Sequence, residues 1–286
     1  MQLSWGNVLM SVINAIILGL VQGIAEFLPV SSSGHLAILN NLFHMSTVED
    51  GHLFFDVLLH LGTLMSICIV YWQDIVDMVL EVLAMANVGP RAGVQRERYP
   101  AARLFFMIVI ATLPLFLILP IKDMLESLYY NNIFIGAALL LTGAMLYVSD
   151  RMRPGRKAGE SMTVWDALII GICQSVATIP GLSRSGTTIT AGIATGLNRE
   201  FAVKFSFLMS LPAVLGANIL SLVDAAREGI QLQYVPAYLI GTAVAMVSGI
   251  GAISLLKFIS KKGKFGGFAY YCWVVGVLSI VLSLIF

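Results

Sequence analysis

Charge is what this sequence has least of. Of 286 residues, 12% are Asp, Glu, Lys or Arg, about half the ~25% usual in soluble domains. Lys+Arg number 17 and Asp+Glu 16, so the net charge is +1 and no field of one sign is available to hold nucleic acid. Cysteine is scarce too: Cys68, Cys173 and Cys272 stand far apart in apolar runs, with no CxxC pair. That excludes a zinc ribbon or a disulfide framework and leaves three small buried hydrophobes. There is no GxxxxGK[ST] loop for a nucleotide and no HExxH for a zinc protease. No Lys or Arg precedes the first apolar run, so a signal-peptide n-region is missing and residues 8–21 read as part of the mature fold. What is present is apolar. Hydrophobic residues make up 58%, there are 26 glycines, and mean hydropathy is +0.88. A soluble domain, a disordered chain, collagen and a disulfide scaffold are all excluded. The expected class is an all-α polytopic membrane protein with one membrane domain over residues 1–286.

Six apolar stretches are long enough to cross a bilayer, at about 53–72, 103–121, 132–149, 204–223, 235–256 and 268–286. Two other apolar regions, about 8–40 and 164–198, are interrupted midway. The interruptions are SSSGH (Ser31–His35), just after Pro29, and PGLSRSG (Pro180–Gly186). Non-helical backbone at membrane depth is tolerated only inside protein or along an aqueous cavity. Each half has about 12–17 residues, short of the ~20 a span needs. Both regions are therefore expected to be re-entrant helix–loop–helix hairpins; the alternative is two ordinary spans each. The basic residues orient the scheme. Loops 73–103, 150–163, 198–204 and 257–267 carry fourteen of the seventeen: Arg91, Arg96, Arg98, Arg103, Arg151, Arg153, Arg156, Lys157, Arg199, Lys204, Lys257, Lys261, Lys262 and Lys264. Lys122 and Arg227 fall on the other side, and Arg184 sits in a broken loop. The positive-inside rule makes the fourteen-residue side cytoplasmic. Both termini are then outside, with the first hairpin entering from outside and the second from inside.

The two interrupted regions are also copies of each other. Sliding the chain by 152 residues lays GLVQGIAEFLPVSSSGH (Gly19–His35) on GICQSVATIPGLSRSGT (Gly171–Thr187) without a gap. Gly19/Gly171, Gln22/Gln174, Ala25/Ala177, Ser31/Ser183, Ser33/Ser185 and Gly34/Gly186 are identical pairs. Each hairpin is followed by three spans, giving one repeat over about 1–150 and a second over about 151–286. With the charge rule the repeat is inverted, an arrangement in which broken helices meet near the midplane and build the site there.

The chemistry-bearing residues collect in those two loops. A carboxylate at bilayer depth costs at least ~2.5–3.5 kcal/mol on insertion scales, so Glu26 needs a cation or a facing Arg. Gln22, at i−4, shares its helix face. Arg184 is the obvious partner, and its planar fork also suits phosphate oxygens. Ser183, Ser185, Gly186, Thr187 and Thr188 add hydroxyls and backbone N–H groups, and a helix begun at 187 would point its positive end at an anion. In the other loop, Ser31, Ser32 and Ser33 stand beside His35. His35 could take a serine's proton or activate water; the bland reading is that the serines cap the next helix. Gly34 permits close backbone approach. His60, four residues after Asp56, is expected to line or support the site, with Gln174 in a supporting place. His44 and His52 read as solvated. Carboxylate, hydroxyls, imidazole, guanidinium and a helix N-terminus suit phosphoryl chemistry.

QGIAEFLPVSSSGH (Gln22–His35) and PGLSRSGTT (Pro180–Thr188) resemble the two signature motifs of the undecaprenyl-diphosphate phosphatase, or bacitracin-resistance, family; FDVLLHLGTL (Phe55–Leu64) and FSFLMSLPA (Phe205–Ala213) are similar to its sequences as well. The likeness covers essentially the whole chain. It implies a bacterial inner-membrane enzyme that hydrolyses undecaprenyl diphosphate to undecaprenyl phosphate and inorganic phosphate, recycling the carrier lipid for cell-wall synthesis. It further implies a divalent cation, Mg²⁺ or Ca²⁺, and a site opening to the outer face. By motif, Glu26 would bind metal and diphosphate, Ser32 would be the nucleophile with His35 as acid/base partner, and Arg184 would bind phosphate with Ser183 and Thr188. The family allows Glu or Gln where this chain has Gln22, so here the motif holds one carboxylate. The partners implied are a polyprenyl diphosphate lipid and the bilayer, with no nucleic acid; a homodimer is compatible.

Two other readings stand beside it. Inverted repeats are a transporter trait, which allows a flippase of polyprenyl phosphate lipids. SSSGH also resembles the PSGH motif of type-2 phosphatidic acid phosphatases, but the His their third motif needs is absent after SRSGT, where Thr190 stands.

Overall fold

The computed structural model describes residues 5–43, 53–90, 99–153, 155–228 and 232–285. Among these residues twelve α-helices follow one another: α1 (Trp5–Phe27), α2 (Ser32–Phe43), α3 (Leu53–Val70), α4 (Trp72–Met85), α5 (Pro100–Thr112), α6 (Lys122–Ser127), α7 (Asn132–Arg151), α8 (Val164–Val176), α9 (Arg184–Ala194), α10 (Arg199–Glu228), α11 (Val235–Lys262) and α12 (Gly266–Ile285). Extended pairing among the described residues is confined to one bridge, Lys157 with Leu197. Pro114 and Pro120 tighten the chain after α5 into 3₁₀ turns at Leu113–Leu117 and Leu119–Ile121.

Among the described residues, five helices are long and apolar enough to cross a membrane: Pro100–Ile121, Asn132–Arg151, Arg199–Val223, Val235–Lys262 and Gly266–Ile285. A sixth crossing arises if Phe54–Val70 and Trp72–Met85, bent by 76° at Tyr71, count as one. All six expected stretches are thus helical. Two boundaries differ from the sequence reading for physical reasons. First, the expected loop 73–103 contains α4. Its acids depress hydropathy but have partners: Glu81 is buried and its Oε2 accepts the N–H groups of Ala101 (2.8 Å) and Ala102 (3.0 Å), closing the start of α5, and Asp74 pairs with Lys204 of α10. Second, α1 has 23 residues, more than the half-hairpin expected, whereas α2, α8 and α9 have only 12, 13 and 11.

Small residues set the packing. α11 is the spine against which α1 and α3 lie, and α12 lies on α7. Lipid tails are as apolar as leucine side chains, so helices in a membrane associate by close backbone approach and interhelical hydrogen bonds. Gly23 of α1 faces Ser248 and Ala245 of α11 so closely that a Cβ would collide with both. Ser66 of α3 donates to Met246 O (2.8 Å), Trp273 of α12 to Leu140 O (3.1 Å) and Ser279 to Asn132 O (3.0 Å). At the end of α1, the fully buried Phe27 meets Phe207 of α10 edge-on at 5.4 Å. Gly23→Leu is expected to lower the melting temperature of the detergent-purified protein, since overpacking costs ~1–3 kcal/mol. Ile24→Leu, at the neighbouring exposed position, should leave it unchanged; equal melting temperatures for all three proteins would contradict this packing.

The basic residues are tied together as well as grouped. Arg199, at the start of α10, bonds Gly263 O and approaches Asp150 at the end of α7, while Asp150 accepts Phe265 and Gly266 N–H groups at 2.6 Å. Arg103 donates to Met162 O (2.5 Å), Lys157 to Asp166 (3.0 Å), and Lys257 lies over the Tyr71 ring at 4.9 Å. The stretches read as loops at 198–204 and 257–267 are largely helix ends. Arg91, Arg96, Arg98, His44 and His52 lie outside the described residues.

Candidate active site

Glu26 is on the last turn of α1, and Gln22 one turn earlier on the same face donates Nε2–H to Glu26 Oε2 at 3.1 Å. The chain then turns through Leu28, Pro29 and Val30 into Ser31, which holds φ at 72°. A non-glycine residue there is uncommon and marks a constrained turn. Ser31 caps α2: its Oγ accepts Gly34 N–H at 3.1 Å and lies 3.3 Å from Ser33 Oγ. The second loop repeats this cap. Ser183 Oγ accepts Gly186 N–H at 3.0 Å and lies 3.2 Å from Ser185 Oγ. The preceding turn needs Gly181, at φ 87°, pressed on Ile135 and Ala138 of α7. Thr142 of α7 accepts Ser183 N–H at 3.1 Å.

The loops meet tip to tip. Arg184 Nη2 donates to Glu26 Oε1 at 2.5 Å, with side chains 22% and 8% exposed. Ser185 Oγ donates to Leu28 O at 3.2 Å, and Gly34 lies against Gly181. Ser32 Oγ donates to Glu26 Oε2 at 2.6 Å. One carboxylate thus holds a hydroxyl on one oxygen and a guanidinium on the other, which compensates its burial. Among the described residues the rest of the Arg184 fork meets no protein acceptor, and Arg184 opens α9, so the positive end of that helix lies here too. The unbonded nitrogens of the fork are donors for an anion, and the helix end favours its charge.

The other expected residues fall into distinct places. His35 does not bond Ser32: its Nδ1 contacts Ser31 O at 2.7 Å and its Nε2 contacts Tyr271 Oη of α12 at 2.8 Å. Thr188 turns inward, with Oγ1 2.6 Å from Ser206 Oγ of α10 and 2.8 Å from Arg184 O. Thr187 Oγ1 is buried without a partner. Gln174 is buried with neither amide atom bonded, so nothing ties it to Glu26. His60 Nδ1 contacts Asp56 O at 3.0 Å; both side chains are about a third exposed, and His60 is near enough to Glu26 and Arg184 to interact electrostatically with both. Sequence reasoning missed Tyr271, Thr142 and Ser206. Each comes from a distant helix; Ser206 lies within FSFLMSLPA (Phe205–Ala213), while Tyr271 and Thr142 stand in no motif.

Comparison with known proteins places these loops in company. A family model described as bacitracin resistance protein BacA matches residues 15–278. The undecaprenyl-diphosphatase of Methanosphaera stadtmanae is 38% identical over 282 residues, covering 97% of this chain and 100% of the relative. Those of Alkaliphilus metalliredigens and Carboxydothermus hydrogenoformans are 39% identical over 278 residues and 38% over 277, each covering 96% of this chain and 100% and 98% of the relative.

Proposed function

This chain belongs to the bacitracin resistance protein BacA family, and from that premise we propose how its two loops do their work: the protein hydrolyses undecaprenyl diphosphate to undecaprenyl phosphate and inorganic phosphate. The observation that carries the assignment to this site is Glu26, which joins the Ser32 hydroxyl to the Arg184 guanidinium. The terminal phosphate enters against the free donors of Arg184 and the start of α9. Its oxygens compete with Glu26 for the guanidinium, leaving the carboxylate with Ser32 as its main partner. Ser32 Oγ then attacks the terminal phosphorus in line as Glu26 takes its proton. The Oγ–P bond forms, the bridging P–O bond breaks, and undecaprenyl phosphate leaves with the electron pair. Water next attacks the phosphoserine with His35 as base; the Oγ–P bond breaks, Glu26 returns its proton to Ser32 Oγ, and inorganic phosphate is released. The contact between Ser32 and a carboxylate has no use in moving an intact lipid, so transport is not the favoured reading.

A divalent cation fits the donors modestly. No group of three His, Cys, Asp or Glu side chains gathers among the described residues. The oxygens available are the Glu26 carboxylate, Ser32 Oγ and Gln22 Oε1, which is buried without a partner. Hard oxygen donors suit Mg²⁺ or Ca²⁺, and Mg²⁺ commonly binds through one or two carboxylates plus substrate phosphates. Such an ion would neutralise phosphate oxygens. The test is phosphate release by purified protein. EDTA is expected to abolish most of it, and excess Mg²⁺ or Ca²⁺ to restore it; a full rate in EDTA would remove the cation from the scheme.

The membrane arrangement we propose has α1–α2 and α8–α9 as re-entrant hairpins related by an inverted repeat. The matched serine caps and the shortness of α2, α8 and α9 support this. The basic helix ends then face the cytoplasm of a bacterial inner membrane, and the site opens outward. Cysteines introduced at 91–98 should resist labelling from outside intact cells, and labelling there would reverse the orientation.

A further inference from the structure

We propose that Tyr271 is a positioning residue that holds the His35 imidazole through the proton transfers of the reaction. The inference rests on the role given above to His35. A carbonyl only accepts, so the 2.7 Å contact with Ser31 O places the ring hydrogen on Nδ1. In the neutral ring, Nε2 is then a lone pair, and the partner the structure gives it is Tyr271 Oη at 2.8 Å, whose O–H donates. The two rings lie nearly parallel, 5° apart in plane, with centroids 5.6 Å apart. One ring nitrogen is fixed by the first turn of α2 and the other by α12, 236 residues later.

Packing does not require this contact. The buried face of α12 is formed by Ala269, Cys272, Gly276 and Ser279, while Tyr271 is 45% exposed. What its hydroxyl offers is reversibility. When the ring is protonated, Nε2–H donates and the hydroxyl oxygen accepts. When the proton leaves, the direction reverts. A phenol serves both states of the ring without movement of either group; a carbonyl or an ammonium would serve only one. Phenylalanine keeps the ring contact and loses this.

The test is a double-mutant cycle on phosphate release, with kcat and KM measured separately. Tyr271→Phe is expected to lower kcat about three- to tenfold, the effect of one hydrogen bond in the rate-determining arrangement, with KM unchanged. His35→Gln should lower kcat further, and Tyr271→Phe in the His35→Gln background should have no additional effect. Wild-type kcat in Tyr271→Phe, or the same added loss in both backgrounds, overturns the inference. So does a loss in Tyr271→Leu with none in Tyr271→Phe, which would make the ring a packing element. Full turnover by His35→Gln overturns the role of His35 instead, and is read independently of Tyr271.

Discussion

Arg184→Ala is expected to reduce kcat/KM for undecaprenyl diphosphate by about 10²–10³, the range found when one preorganised donor to a developing charge is removed. Two effects combine. The phosphate loses its planar fork, and Glu26, whose side chain is 8% exposed, loses its counter-charge. Removing one partner of a buried pair costs ~3–5 kcal/mol of stability, so the alanine variant is also expected to melt earlier. Two companions separate the effects. Arg184→Lys retains the charge as a compact ammonium that cannot form the fork; it should melt near wild type and still lose about tenfold or more in rate. Glu26→Gln combined with Arg184→Ala removes both charges, so it should regain stability while staying inactive. Turnover at the wild-type rate in a well-folded Arg184→Ala protein would remove this residue from the site.

The second large effect is at Ser32. Ser32→Ala should lower turnover about a thousandfold or more, as loss of a nucleophile does when binding groups remain. Ser33→Ala, one residue along, should stay within about threefold, the worth of a single neutral hydrogen bond. The three serines are identical in composition and separate only by geometry. Ser31 caps α2, Ser33 leans on that cap, and Ser32 alone reaches Glu26. Phosphate release measured on all three alanine variants in one detergent checks the contrast, and equal losses at Ser32 and Ser33 would contradict it.

The Glu26–Arg184 pair was legible in the sequence because charge is so costly in a lipid-embedded chain. Glu26 stood alone in an apolar helix, Arg184 was the one Arg in a broken loop, and the match at an offset of 152 paired the two segments that hold them. A serine cap was legible too, as the bland reading of SSSGH, and Ser31 makes it; the matching cap by Ser183 was not foreseen. Other features depend on contacts that hydropathy does not contain. α4 looked like loop because Asp74, Asp77 and Glu81 interrupt its apolar run, yet the fold provides Lys204 for Asp74 and the start of α5 for Glu81. The Ser32–Glu26 bond was missed in favour of Ser32 with His35, since adjacency in sequence suggested a partner that helix geometry turns elsewhere. Ser32, at the start of α2, reaches back to Glu26 of α1, while the His35 ring is taken by Ser31 O and Tyr271. Tyr271 carried no signal at all, being one of 9 tyrosines in the chain.

If the two loops form one phosphatase site acting on the terminal phosphate, the products of turnover follow from it. The most direct measurement is the product ratio from undecaprenyl diphosphate turned over by the purified full-length protein with Mg²⁺. The expected result is one inorganic phosphate and one undecaprenyl phosphate per lipid consumed, both lost together in Ser32→Ala. Release of pyrophosphate with undecaprenol, or unchanged lipid after prolonged incubation with folded protein, would contradict it.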